Sequence, residues 1–263
     1  MFNAKLPIMN LIILPVYNEE KTIYETTRNI LHFCDNFFTN GDYNLLIIND
    51  GSTDKTVENC KKIKHYKLNC INNMFDQGKG SALKTGYVLS RLIYSLNDND
   101  NIIFIDGDGQ ISVSEIRTMF NVGNTYQADV VVGNKRHKYS STSYTLTRRI
   151  ISQTYNSLIR FLFDMKLEDT QCGIKLFKAG ALEKVIKNVT TKQYAFDLEL
   201  LVALRANKYR IVDAPVSIEP QMNRGSISLK AIIGTFIDTL KVWSRLKRGI
   251  YGKSYNGVAT VSE

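Results

Sequence analysis

The first half of the chain alternates short β-rich runs with helical patterns, and this restricts the fold more than any other feature. Leu11–Pro15, Leu45–Asn49, Lys67–Ile71, Ile102–Ile105 and Val130–Val132 are short and mostly apolar on both faces, as buried parallel strands are. Helical patterns fall between them near Glu20–Phe38, Asp54–Ile63, Gly80–Leu96 and Val113–Val122. Ser52 or Asp54 can cap the second, and Ser112 ahead of Glu115 reads as a capping box for the fourth. Such regular alternation predicts an α/β fold with a doubly wound sheet.

The second half is less regular. It predicts a helix over Thr145–Phe163, a polar turn at Glu168–Gly173, a strand at Ile174–Phe177, a helix at Phe196–Ala206 and a strand at Arg210–Ala214. The last element, Ser228–Lys247, repeats Leu229, Ile232, Ile233, Phe236, Leu240 and Trp243 at helical spacing, with Lys241, Arg245 and Arg248 on another face. Four prolines and no Ser/Gly-rich linker point to one compact unit.

No run approaches the roughly 18–20 apolar residues of a membrane-spanning helix, and the apolar stretch at the start lacks the marks of a signal peptide. Cys34, Cys60, Cys70 and Cys172 form no CxxC pair, so reduced thiols and a cytoplasmic setting are expected. The net charge of +9 asks for an anionic partner. Between Gln221 and Lys253 seven positive residues face one negative, so much of the excess sits near the C-terminal end.

Ligands of open α/β sheets bind beyond the carboxyl ends of the strands. Three polar clusters fall there: Pro15-Val16-Tyr17-Asn18-Glu19-Glu20, Asn49-Asp50-Gly51-Ser52-Thr53-Asp54 and Asp106-Gly107-Asp108-Gly109-Gln110. In the third, glycines let the chain bend so that both carboxylates face one ligand. Carboxylate and amide oxygens suit Mg²⁺ or Mn²⁺ shared with phosphates. Zinc is disfavoured, because His32, His65 and His137 are scattered. Gly78-Lys79-Gly80-Ser81 is not a P-loop, since Asn73 stands at the first glycine and Gly80 at the required Ser/Thr. Lys79, at a helix start, can still face a diphosphate.

The series P-V-Y-N-E, N-D-G-S-x-D-x-T, G-K-G-x-A and D-G-D-G-Q resembles glycosyltransferase family 2. Gly133-Asn134-Lys135-Arg136 and Asp169-Thr170-Gln171-Cys172-Gly173-Ile174-Lys175-Leu176-Phe177 extend the similarity to the dolichyl- and polyprenyl-phosphate sugar synthases, especially the dolichyl-phosphate β-glucosyltransferases. The resemblance implies a GT-A fold, with a Rossmann-like, mixed but mostly parallel sheet. It implies an inverting, metal-dependent hexosyl transfer to a lipid phosphate, with UDP-glucose favoured as donor over GDP-mannose. By position, Pro15, Tyr17 and Glu19 would hold the nucleoside and Asp50 an N–H of its base. Asp106 would meet the ribose or sugar, Lys79 the diphosphate, and Asp108 with Gln110 the metal. Arg136, with Arg148 or Arg149, would meet the acceptor phosphate. Asp169 and the segment Phe196-Asp197-Leu198-Glu199 would border the transferring sugar.

Residues 1–225 are accordingly expected to form the transferase domain, with a donor half at 1–135 and an acceptor half at 136–225. Residues 226–263 would add a basic amphipathic helix and tail, able to contact the cytoplasmic face of a membrane peripherally. Transfer to a glycan hydroxyl shares every donor motif and differs in needing a general base. A nucleic-acid-binding role, prompted by the charge, finds no zinc-finger spacing, RRM signature or basic-region heptad in its favour.

Overall fold

The computed structural model describes residues 8–136, 146–165, 167–193, 195–218 and 229–252. In chain order the elements are β1 (Asn10–Val16), α1 (Ile23–Phe37), β2 (Tyr43–Asn49), α2 (Thr56–Lys61), β3 (Leu68–Asn72), α3 (Lys79–Tyr94), β4 (Asn101–Ile105), α4 (Glu115–Tyr126) and β5 (Val130–Asn134). They continue with α5 (Leu146–Phe163), β6 (Ile174–Lys178), α6 (Ala179–Ile186), α7 (Phe196–Ala206), β7 (Ile211–Pro215) and α8 (Leu229–Lys247).

The strands form one sheet in the order β3-β2-β1-β4-β6-β5-β7. β6 runs antiparallel to both of its neighbours and every other pairing is parallel. This is the mixed, mostly parallel, doubly wound sheet expected. Alternate residues of β1 explain its uniformly apolar sequence: Leu11 and Ile13 enter the core on one face, Ile12, Leu14 and Val16 that on the other. α3, α6 and α7 cover the first face, while α1 and α4 cover the second. At full burial each Leu or Ile side chain contributes about 1.5–3 kcal/mol, so a two-faced strand is a heavy anchor.

Topology fixes where the polar turns meet. The chain leaves β1 toward β2 and β3 on one side, then crosses to β4 on the other, opening a crevice beyond the β1 and β4 carboxyl ends. Because β6 is reversed, its leading end reaches the same edge, with Ile105 opposite Ile174. The polar turn ahead of β6 therefore lands beside the Asp106–Gln110 loop.

Four expectations change. α6 follows β6 directly; its Ala-Gly-Ala start and lack of a side-chain cap hid it. β3 is the sheet edge, with Asn69 and Cys70 exposed rather than buried. No capping box forms at α4, because Glu115 is buried and accepts the Ser217 amide at 3.0 Å instead. α8 has two apolar faces rather than one. Val242 and Leu246 enter the core, while Ile233, Phe236, Ile237 and Leu240 remain 40–52% exposed. Among the described residues, no helix is long and apolar enough to cross a membrane.

Candidate active site

The first two polar turns are laced together. Asn18 adopts φ 54°, its amide donates to Ser52 Oγ at 2.9 Å, and its side-chain oxygen accepts the Thr53 amide at 2.8 Å. Asp54 accepts the Thr56 and Glu20 amides, at 2.9 and 3.1 Å, just ahead of α2, whose N-cap position is taken by Lys55 rather than by Ser52 or Asp54. Pro15 is buried at the end of β1 and Tyr17 stands exposed beyond it. Burial raises the Glu19 pKa against an opposing hydrogen bond from Thr22, and nearby Asp108, Asp54 and Asp106 raise it further. These acids thus crowd one small volume.

Asp50 is buried, and its carboxylate already organises the following loop. It accepts the Gly78 amide at 2.8 Å, the Gln77 amide at 3.3 Å and the Asn73 side-chain amide at 3.0 Å. A base N–H would have to share these oxygens, each of which has two lone pairs. The same bonds aim the start of α3, where Gly78 sits at φ +93° and Gly80 has no room for a Cβ beside Phe196.

Lys79, the first residue of α3, projects into the crevice. Its ammonium lies 2.6 Å from Asp106 and 3.7 Å from Asp197. Burial opposes its charge, but the two carboxylates outweigh this and hold its pKa above the ordinary lysine range. Asp197 leans the other way: burial would raise it, yet Lys175 at 2.8 Å and Lys79 keep it below the usual carboxylate range. Lys175 was not singled out in the sequence, where it reads as one residue of a strand. A lysine inside an apolar run was the available signal.

Asp108 accepts the Gln110 backbone amide at 3.0 Å, and the Gln110 side-chain amide also donates to it. Gly109, at φ +73°, makes this turn possible. Among the described residues no three His, Cys, Asp or Glu side chains converge as a metal cage. The Asp108 carboxylate and the Gln110 amide, once turned, offer two hard oxygen ligands. That donor set fits Mg²⁺ or Mn²⁺ completed by diphosphate and water.

In the turn ahead of β6, Asp169 accepts the Gln171 amide at 3.0 Å and lies 3.6 Å from the Lys135 ammonium. The Arg136 amide donates to Asn134 Oδ1 at 2.8 Å. The Asn134 side-chain nitrogen reaches both Glu168 and Asp213, each at 3.1 Å. Arg148 and Arg149 fall in the first turn of α5, and their side chains lie outside the described residues. Glu199 departs from expectation. It is fully buried and accepts the Thr190 and Thr191 amides, at 2.8 and 2.7 Å, and the Tyr251 hydroxyl at 2.5 Å. Arg245 approaches it at 3.3 Å, so Glu199 anchors α8 rather than bordering the crevice. A cavity of about 540 Å³ beside Asp98, Asp129 and Lys178 lies at the opposite sheet edge and holds none of the expected site residues.

Burial pushes the Asp213 carboxyl up to about 6, and one of its oxygens is buried without a hydrogen-bond partner among the described residues. The native state therefore holds this proton more tightly than the unfolded chain. The resulting stability is complete below the unfolded value near pH 4 and lost as pH rises through about 6. Asp213→Asn lacks that loss. Between pH 4 and pH 8 its urea-derived stability should gain on the parent by about 2–3 kcal/mol. Parallel pH profiles of the two proteins would contradict it.

The model of glycosyl transferase family 2 matches residues 11–186. The chain is 24% identical over 243 residues to glycosyltransferase AglD of Haloferax volcanii, covering 89% of this chain and 37% of that protein. It is 27% identical over 227 residues to the dolichyl-phosphate beta-glucosyltransferase of Saccharomyces cerevisiae, covering 78% of this chain and 65% of that one. The chain thus spans less than two thirds of the length of these relatives. A Mycobacterium tuberculosis glucosyl-3-phosphoglycerate synthase, solved with Mn²⁺, UDP and glucosyl-3-phosphoglycerate, superposes with TM-score 0.66 at 17% identity, over 90% of this chain and 80% of that one. With a mixed sheet of this order and the family's model spanning both the crevice and its lining turns, the chain belongs to glycosyl transferase family 2.

Proposed function

We propose that this chain is an inverting, metal-dependent hexosyltransferase that moves glucose from UDP-glucose to a polyprenyl or dolichyl phosphate. The observation that carries the reading is the meeting of Lys79, Asp106 and Asp197 at the switch-point crevice, beside the Asp108–Gln110 turn. Pro15, Tyr17, Glu19 and Asp50 would line the nucleoside, Asp106 the ribose or sugar, and Lys79 the diphosphate. Asp108 and Gln110 would hold Mg²⁺ or Mn²⁺. When bound, the ion offsets the charge gathering on the departing diphosphate. The names of the dolichyl-phosphate relatives support the acceptor, and the UDP-bearing structural neighbour supports the donor.

The electrostatics favour an acceptor that is already anionic. A hydroxyl needs a base, and Asp197, held ionised by two lysines, is a poor proton acceptor. A phosphate needs orientation and charge screening, which Arg136 would supply because a guanidinium fork matches phosphate oxygens. Asp169, close to Lys135, would position the sugar. Residues 1–225 would carry this chemistry, divided near residue 135 into donor and acceptor halves.

Residues 226–263 would form the membrane-facing part. The exposed Ile233, Phe236, Ile237 and Leu240 share α8 with Lys241, which is paired with Asp238, and Arg248 follows just past its end, an arrangement that would suit the anionic cytoplasmic face of a bilayer. Arg245 is excluded from that surface, since it is spent on Tyr251, Glu199 and the Asn188 carbonyl.

Three outcomes are expected. EDTA abolishes nucleotide release from UDP-glucose, and Asp108→Asn lowers kcat at least about a hundredfold, roughly 2.7 kcal/mol of barrier; a variant active in chelator, or a preference for GDP-mannose, counts against the metal or the donor. A polyprenyl phosphate is glycosylated while the matching alcohol is not, Arg136→Ala chiefly raises the acceptor KM, and Arg136→Lys recovers part of it. A better rate with the alcohol or a free sugar transfers the role to the hydroxyl-acceptor reading. Finally, Lys241→Glu with Arg248→Glu floats less with anionic vesicles than the parent while keeping its thermal midpoint. Equal flotation removes the membrane contact.

A further inference from the structure

Lys175 enters the core from β6 and is only 2% exposed. A buried ammonium is costly unless paired, and this one donates to the Cys172 carbonyl at 2.7 Å and to Asp197 Oδ1 at 2.8 Å. Asp197, 8% exposed, is shared: its other oxygen faces Lys79, which lies nearer to Asp106. Lys175, Asp197, Lys79 and Asp106 thus form a ladder of alternating charge from the interior to the crevice, where the last two are about 30% exposed. Asp108, from the turn after β4, adds its field at the outer end.

The inner and outer lysines are not equivalent. Lys175 holds Asp197 closely from beneath, while Lys79 touches it at 3.7 Å and can leave without stranding a buried charge. We propose that Lys175 is a positioning residue: by balancing Asp197 from below, it frees Lys79 to engage the diphosphate of the donor. Without Lys175, Lys79 is the only counter-ion of that buried carboxylate among the described residues, and moving it onto a phosphate leaves the carboxylate without either lysine. Lys175 acts through Asp197 alone and does not touch the donor. The proposal rests on the reading of Lys79 as a diphosphate ligand.

The test is calorimetric titration with UDP and with GDP, each with Mn²⁺, using whichever the parent binds. Lys79→Met tests the underlying reading. An unchanged affinity there removes that reading and this proposal together. If Lys79→Met weakens binding, Lys175→Met is expected to weaken it at least about tenfold, and Lys175→Arg by no more than about threefold. The deciding comparison is made in Asp197→Asn, where the carboxylate charge is gone. There, adding Lys175→Met should change affinity less than about threefold, because coupled residues lose their separate effects. That comparison also decides the matter if Lys175→Met alone fails to fold, since the double variant removes both charges. Unaltered binding by a folded Lys175→Met, or a further tenfold loss in the Asp197→Asn background, overturns the proposal and leaves the Lys79 reading standing.

Discussion

One backbone hydrogen bond joins the turn after β4 to the turn ahead of β6: the Asp106 amide donates to the Gly173 carbonyl at 2.9 Å. It continues the β4–β6 pairing one step past Ile105 and Ile174. In a fully parallel sheet the residues ahead of β6 would lie at the opposite edge, far from the turns that follow β1, β2 and β4. Reversal of this one strand brings Asp169 and Cys172 to the edge where β1, β2 and β4 end. A Cβ on Gly173 would sit 2.5 Å from the Asp106 carboxylate, so a side chain there would push that carboxylate from its place beside Lys79. Gly107 is equally constrained by Val16 on the other side of the crevice.

That closeness makes charge balance the next constraint. Asp106, Asp108 and Asp54 all act on Glu19, and Asp197 adds a buried fifth carboxylate. In the protein interior such crowding is unfavourable unless cations or hydrogen bonds offset it. Lys79 and Lys175 supply cations on the α7 side. Around Asp54 backbone amides do the work, and Glu19 instead takes a higher pKa.

Much of this was legible in the sequence, because the period of apolar runs and the glycine-bearing acidic turns are local signals. Asp106, Asp108, Lys79 and Asp197 were each found from their turns or from the resemblance. Their mutual contacts were not, since these depend on β6 running backward, and strand direction leaves no mark in a five-residue apolar stretch. Lys175 was missed for the same reason: an ammonium inside a strand declares a role only when its carboxylate partner, on another element, is known. Glu199 was misplaced by adjacency. Two residues apart on a helix, Asp197 and Glu199 lie about 200° apart around its axis, so the two cannot share a face.

That angular separation gives α7 two attachments. On one side Asp197 meets the lysines of the crevice; on the other Glu199 binds Tyr251 and the Thr190–Thr191 amides, with Arg245 beside it. A helix of 11 residues buried along almost its whole length bends little. The orientation of α8, and so of its exposed apolar stripe, is therefore set by the element that places Asp197 under Lys79. Tyr155 of α5 adds a second tie through the Thr239 hydroxyl, at 2.9 Å. The surface helix and the floor of the crevice are thus joined through side-chain contacts on α7.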